Sequence, residues 1–362
     1  VPWDCSGKVK EETAVKLSAS EGDILYATLM HGGVPVAQLA RMVGCREHVV
    51  RRAISKFYEN GLIARRVMIN CMTLGYSSFH IYASLSSEGQ RKKKEVIAHL
   101  VGSARTSTVL EVGGEYDLFT SVIVESAREL AQFSEDVTSK FGPVFARKDI
   151  AVTIRHSVFG EKLLTTNPKL FAECSIEAVD QPKQVDDLDR RILFLVGAPD
   201  FSTLAKVARS IGVPLSTVEY RFNRLKADGV ICGDMHEIKG ELVGLSNFLI
   251  LLSMEGLSDT RKDEFHRFAR LYPNITHFAY EVGHWDCMLG VAVFTPTELN
   301  NLVDLIRKKF GEFITNIKSF AMFNAHKVRD YPLDPERVSL GPGRIETKER
   351  GEPSTKRSRV RS

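Results

Sequence analysis

Shifting the chain along itself by 168 residues lays VARSIGVPLSTVEYRFNRLKADGVI, which starts at Val207, over LARMVGCREHVVRRAISKFYENGLI, which starts at Leu39, without a gap. Ala40 meets Ala208, Arg41 meets Arg209, Gly44 meets Gly212, Val50 meets Val218, Gly61 meets Gly229 and Ile63 meets Ile231. Upstream, Ile24-Leu25 falls on Ile192-Leu193. A shift of 169 aligns a second region, with Leu74-Gly75 on Val243-Gly244, Gly114 on Gly283, Asp117 on Asp286 and Phe141-Gly142 on Phe310-Gly311. An internal repeat of this length fixes the architecture before any local reading: two copies of one unit, each with a front and a back part. The expected divisions are a front part at 17–70, a back part at 71–165, a linker at 166–184, a second front part at 185–240, a second back part at 241–330 and a tail at 331–362.

The second front part shows its helices most clearly. LDRRILFLVG has apolar residues at helical spacing, opened by Asp186, Asp187 and Asp189, whose charges suit a helix N-terminus. After Ala198-Pro199-Asp200, Ser202 is placed to cap the short helix TLAKVARSI, which ends at Gly212. Gly212 supplies the positive φ of a sharp turn between helices. Pro214 and Ser216 open the next helix, where Val218, Phe222 and Leu225 share a face, and VICGDMHEI follows as a strand. Three helices, a tight turn before the third, and a β-wing describe a winged helix-turn-helix. The outward face of the third helix carries Ser216, Thr217, Glu219, Tyr220, Arg221 and Arg224; in the first copy it carries Arg46, Glu47, His48, Arg51, Arg52 and Lys56. Either set can contact a duplex or simply face water. Arg46, Arg51, Arg52 and Lys56 against Glu47 make the first face more basic than Arg221 and Arg224 against Glu219.

Each back part has the order strand, helix, strand, strand, helix, strand. In the first copy these are SFHIYASL, SEGQRKKKEVIAHL, TSTVLEVG, DLFTSVIV, SARELAQFSEDVTSKF and VFARKDIAVTI. βαββαβ is the ferredoxin-like split sandwich, so the fold class is α+β: two winged helix-turn-helix domains and two ferredoxin-like domains in tandem. An antiparallel sheet of this kind leaves a face and edges to be covered, and here the second copy can cover the first. The central hairpins read VGGEYDL and VGHWDCM. Gly-x-x-Asp there has two readings: a turn device, or a cradle of amides beside a carboxylate that holds a zwitterion.

Together these residues resemble the Lrp/AsnC family of feast/famine transcriptional regulators, over residues 17–165 and again over 185–330. The resemblance implies double-stranded DNA as a partner, no enzymatic activity, no cofactor and no metal. It also implies a homo-oligomer of pseudo-dimeric chains and an amino-acid-like effector bound between ferredoxin-like domains. Carried onto this sequence, the effector site falls at Gly114, Tyr116 and Asp117, and at Gly283, His284, Trp285 and Asp286. Trp285 can pack on a ligand or plug the sheet interface. The chain departs from the family at Ala53, where Arg is favoured and Arg221 keeps it, and in Glu115-Tyr116 against His284-Trp285, so the two hairpins differ in chemistry.

Sirohaem decarboxylases resemble the same scaffold and form the alternative, with His80, His156, His236, His277, His284 and His326 as the imidazoles such chemistry could use. Their His/Arg-rich wing motif has no match in RRVMINCMTLGY or CGDMHEIKGELVG. The net charge of +4 equals that of the tail from Gly341, so affinity for DNA must come from local patches. Six scattered cysteines without a C-x-x-C pair suggest reduced thiols. With no apolar run of membrane-spanning length and no signal-like N-terminus, a cytoplasmic protein away from membranes is expected.

Overall fold

A computed structural model describes residues 15–199, 201–256 and 258–334. The first head consists of α1 (Ala19–Met30), α2 (Val36–Val43), α3 (Glu47–Glu59) and the single strand β1 (Ile63–Ile69). Next come β2 (Ser77–Leu85), α4 (Ser87–Arg91), α5 (Lys93–Gly102), β3 (Thr106–Gly113), β4 (Leu118–Val124), α6 (Ala127–Phe141) and β5 (Phe145–Val158). A short strand, β6 (Cys174–Glu177), precedes the second head: α7 (Asp187–Val196), α8 (Leu204–Ile211), α9 (Leu215–Ala227) and β7 (Ile231–Ile238). The second back part is β8 (Ser246–Met254), α10 (Asp259–Leu271), β9 (Ile275–Gly283), β10 (Cys287–Val293), α11 (Pro296–Phe310) and β11 (Ile314–Val328).

Ser18 and Asp186 occupy equivalent places and open their heads alike. Ser18 accepts from the Glu21 amide while Glu21 accepts from the Ser18 amide, and Asp186 and Asp189 do the same. These capping boxes satisfy amides that a helix start otherwise leaves unpaired. Gly44 and Gly212 take φ of 67° and 70°, the left-handed turn that sets the second helix against the third. Val50 and Val218, each fully buried, anchor the third helices in the head cores.

The wing differs from expectation. Each head contributes one strand, and its partner comes from the other head: β1 and β7 pair antiparallel, with Arg66 facing Met235. The two ends of this ribbon are equivalent, the Lys239 amide donating to Leu62 O at 2.9 Å and the Asn70 amide to Val230 O at 2.8 Å. β1 also crosses into the opposite core, where Val67 and Ile69 pack among Ile192, Val218 and Phe222. A lone amphipathic strand has two unpaired edges, and pairing across the chain satisfies one of them in each copy.

The two ferredoxin-like sheets close into one ring in the order β2-β4-β3-β11-β8-β10-β9-β5, and β5 returns to β2. β5 and β11 are the long strands that bridge the copies, β5 onto β9 and β11 onto β3. Helices cover the outside over two apolar layers, and the strands' other faces meet inside around Tyr82, Tyr116, Phe119, Leu251, Trp285 and Phe320.

Four local expectations are corrected. Thr203, not Ser202, caps α8, because its hydroxyl reaches the Lys206 amide at 3.3 Å. The helix drawn over SEGQRKKKEVIAHL breaks at Lys92 into α4 and α5. Residues 166–184 are not a bare linker, since β6 joins β5 as a ninth strand. The tail assigned to 331–362 begins inside the second head, with Tyr331 and Leu333 buried in its core; its basic residues from Arg344 onward lie outside the described residues.

Candidate nucleic-acid interface

In the first head, α3 and its N-cap residue Arg46 expose the whole expected set: Arg46, His48, Arg51, Arg52 and Lys56. Arg51 pairs with Glu47 one turn earlier, and its side chain stays 63% exposed. Lys56 meets Glu21 of α1 at 3.0 Å, also at the surface. Contacts this open are weak, so these cations remain available to phosphates. Val50, Ala53 and Phe57 fill the opposite face of the helix.

The second head presents a different surface. Ser216 is exposed, Thr217 half-buried, and Tyr220 stands out at 68% exposure. Arg221 and Arg224 are drawn back onto α7. Arg221 pairs with Asp186 and, at 3.1 Å, with Asp189; Arg224 pairs with the other Asp189 oxygen. Asp189 itself is buried. The Arg221 hydrogen bond holds the Asp186 carboxyl down to about 2, below the usual carboxylate range. Lys56 and Glu21 are the first head's equivalents of Arg224 and Asp189, whereas Arg221 has only Ala53 opposite it. The arginine that the family favours is therefore built into the helix-helix packing of the second head.

The Gly-x-x-Asp hairpins act as turn devices in both copies. Asp117 accepts from the Leu85 amide and Asp286 from the Met254 amide, each at 2.7 Å. Gln90 donates to the other Asp117 oxygen at 2.7 Å. Gly114 and Gly283 have positive φ, and a Cβ on Gly283 would lie 2.4 Å from Ile150 O on β5. Tyr116 and Trp285 are equivalent residues and meet each other inside the barrel, the indole donating to the Tyr116 hydroxyl at 3.2 Å. Both are about 1% exposed, so they plug the interface between the sheets. Burial and the hydrogen bond to Asp149 push the Tyr116 hydroxyl up.

What remains open at the hairpin tips differs between copies. At the second, His284 sits 3.1 Å from Arg147, which holds Asp149 at 2.7 Å. At the first, Glu115 pairs with Lys318 at 2.5 Å.

Of the six histidines noted in the sequence, His80, His156 and His277 gather at the barrel and the other three lie apart. His80, on β2, pairs inside the barrel with Glu281, which also accepts from the Tyr82 hydroxyl at 3.1 Å. His156 and His277 stack nearby with ring centroids 5.6 Å apart, and burial lowers His277 to about 4. His236 meets Tyr58 at the seam of the heads, His284 lies at a hairpin tip, and His326 pairs with Glu111. Sequence reasoning missed Glu281 and the Arg65–Asp234 pair at the head seam. The repeat alignment carries the signal for Glu281, since Val112 stands at its equivalent place.

These heads make the chain a helix-turn-helix DNA-binding protein, and the comparisons with known proteins agree. A winged helix-turn-helix DNA-binding family profile matches residues 185–231. An HTH-type transcriptional regulator of Pyrococcus furiosus is 30% identical over 137 residues, 37% of this chain and 88% of that protein. The HTH-type transcriptional regulator FL11 of the same organism is 27% identical over 122 residues, 34% of this chain and 80% of its own length. The chain belongs to the Lrp/AsnC family of helix-turn-helix transcriptional regulators. Among solved structures, the siroheme decarboxylase NirDL superposes on 86% of this chain and 94% of its own with a TM-score of 0.56. At 15% identity that likeness is one of fold.

Proposed function

We propose that this regulator reads DNA mainly through its first head and takes a small amino-acid-like effector at the second hairpin. The observation that carries the first statement is the contrast between the third helices: an exposed cationic face on α3 against arginines tied to Asp186 and Asp189 on α9. Each phosphate contact adds about 0.9 units to the slope of log affinity against log salt. Arg51→Ala with Arg52→Ala is expected to weaken binding to any duplex and to flatten that slope by about one to two units. The measurement is fluorescence anisotropy across a salt series, in chains ending at Leu340 so that the basic tail adds no contacts. An unchanged slope would remove α3 as the main reader.

The effector reading rests on the tip where Arg147, Asp149 and His284 gather. A guanidinium beside a carboxylate offers one partner for each end of a zwitterion. Tyr116 and Trp285 contribute by holding the tip in place from inside the barrel. Arg147→Ala is expected to abolish the heat of effector binding while leaving effector-free DNA affinity unchanged. Calorimetry with a panel of amino acids checks both, and a wild-type protein that gives no heat with any of them ends this reading.

A further inference from the structure

The repeat makes unit one and unit two near copies in fold, so three pairings are open to their sheets and wings. A unit can meet its tandem neighbour, or a unit of the same kind in a second chain. We infer that buried, complementary substitutions between the copies direct each unit to its neighbour and against its own kind.

Two places in the interface carry this. Inside the barrel, His80 of unit one pairs with Glu281 of unit two, at 5% and 0% side-chain exposure. The equivalents, 169 residues away, are Leu249 for His80 and Val112 for Glu281, and both lie in the apolar interior. The strand registers confirm the equivalence: His80 faces Ser121 and Ala151, while Leu249 faces Gly290 and Phe320. Tandem pairing thus makes one polar, hydrogen-bonded contact and one apolar contact. Two copies of unit one would set His80 against Val112 twice. Two copies of unit two would bury Glu281 against Leu249 twice. A buried carboxylate with no partner is among the costliest mismatches an interface can hold.

The wings repeat the pattern on the pseudo-twofold axis. Arg65 and Asp234 are equivalent positions and bond to each other, Nε to Oδ1 at 2.9 Å and Nη2 to Oδ2 at 2.6 Å. The Asp234 side chain is only 5% exposed, and Arg65 also lies over the Phe201 ring at 4.7 Å. Like units would bring Arg65 onto Arg65 and Asp234 onto Asp234. Tyr116 and Trp285, also equivalent, meet as acceptor and donor. An indole can only donate, so two copies of unit two would lose that bond. Repulsion against the wrong partner as well as attraction to the right one is what specificity requires. The consequence for function is polarity: each pair of units presents one α3 and one α9 in fixed relation, never two of the same kind.

Moving one carboxylate tests this in the full-length protein. Val112→Glu with Glu281→Val, made together with Arg65→Ala and Asp234→Ala to remove the wing preference, leaves tandem pairing with two mismatches inside the barrel and gives like units two matches each there. In paired first units His80 meets the transplanted carboxylate, and in paired second units Leu249 meets the new valine. Light scattering is expected to show at least twice the wild-type mass at equal concentration. His80→Leu with Glu281→Val, apolar at both places, is expected to keep the wild-type mass. A folded transplant variant with wild-type mass overturns the inference. If the transplant does not fold, charge reversal decides: Arg65→Asp and Asp234→Arg must each lower Tm, and the two together must recover most of the loss. No recovery overturns the inference as well.

Discussion

Lys162→Met is expected to stabilise the protein at pH 6 and to leave it almost unchanged at pH 10. Lys162 follows β5 and is completely buried, with Nζ donating to Ala269 O in the last turn of α10 at 3.0 Å. Its ammonium lies 4.4 Å from the Phe159 ring centroid, and no carboxylate among the described residues pairs with it. Burial lowers its pKa from 10.5 to about 7, with Glu173 pulling weakly the other way. Between these values the unfolded chain holds a proton that the folded chain has released, so stability rises with pH across that window. Below 7 both states are charged and the full cost remains, an upper bound of about 5 kcal/mol at 1.36 kcal/mol per unit. Methionine keeps the length and removes the charge, but leaves Ala269 O without its donor at about 1 kcal/mol. The net gain at pH 6 is then roughly 2–4 kcal/mol. The neighbouring Glu161 works in the opposite sense. Burial raises its carboxyl from 4.5 to about 7, so stability falls as pH rises through that lower window. Urea unfolding at pH 6, 8 and 10 separates the two, because Lys162→Met removes only the upper limb. Equal stability of both proteins at pH 6 would mean that the ammonium is hydrated.

The repeat made much of this fold legible. Gly44 and Gly212 mark the helix-turn-helix turns, and the alternation in SFHIYASL marks a strand with an inward and an outward face. The sequence could not assign partners to lone strands. β1 looks like a wing because its apolar positions suit any covering surface, and only the tertiary structure selects β7. Arg221 shows the same limit. Its charge reads as a phosphate contact, yet Asp186 and Asp189, some 35 residues earlier, claim it once α7 and α9 cross. Trp285 had two readings, and packing against Tyr116 places it in the interface. Glu281 was within reach: an acid opposite a valine in a repeat signals that the copies have diverged toward each other. Tyr331 and Leu333 carry no periodicity, so their docking on the second head left no trace.

Asp189→Ala is expected to loosen the second head while the barrel holds. Asp189 is 1% exposed and accepts three bonds, from the Asp186 amide at 3.1 Å, from Arg221 at 3.1 Å and from Arg224. Its removal takes away half of the α7 capping box and leaves two guanidinium groups without their buried partner. Breaking a buried pair from one side costs about 3–5 kcal/mol. Arg221 and Arg224 retain 21% and 37% side-chain exposure and can turn to water, which places the cost near the lower end. The equivalent change in the first head, Glu21→Ala, breaks a surface pair and half a capping box, for about 1 kcal/mol. Hydrogen exchange localises the effect: amides of α7, α8 and α9 should exchange faster, and those of β8 to β11 should not. The same tethering predicts that Arg221→Ala lowers the stability of this head without changing the salt dependence of DNA binding, unlike the paired change at Arg51 and Arg52. Should Asp189→Ala leave exchange in the second head unaltered, the arginines are not anchored by α7. Both would then be free to meet phosphate, and the two heads would read DNA on more equal terms.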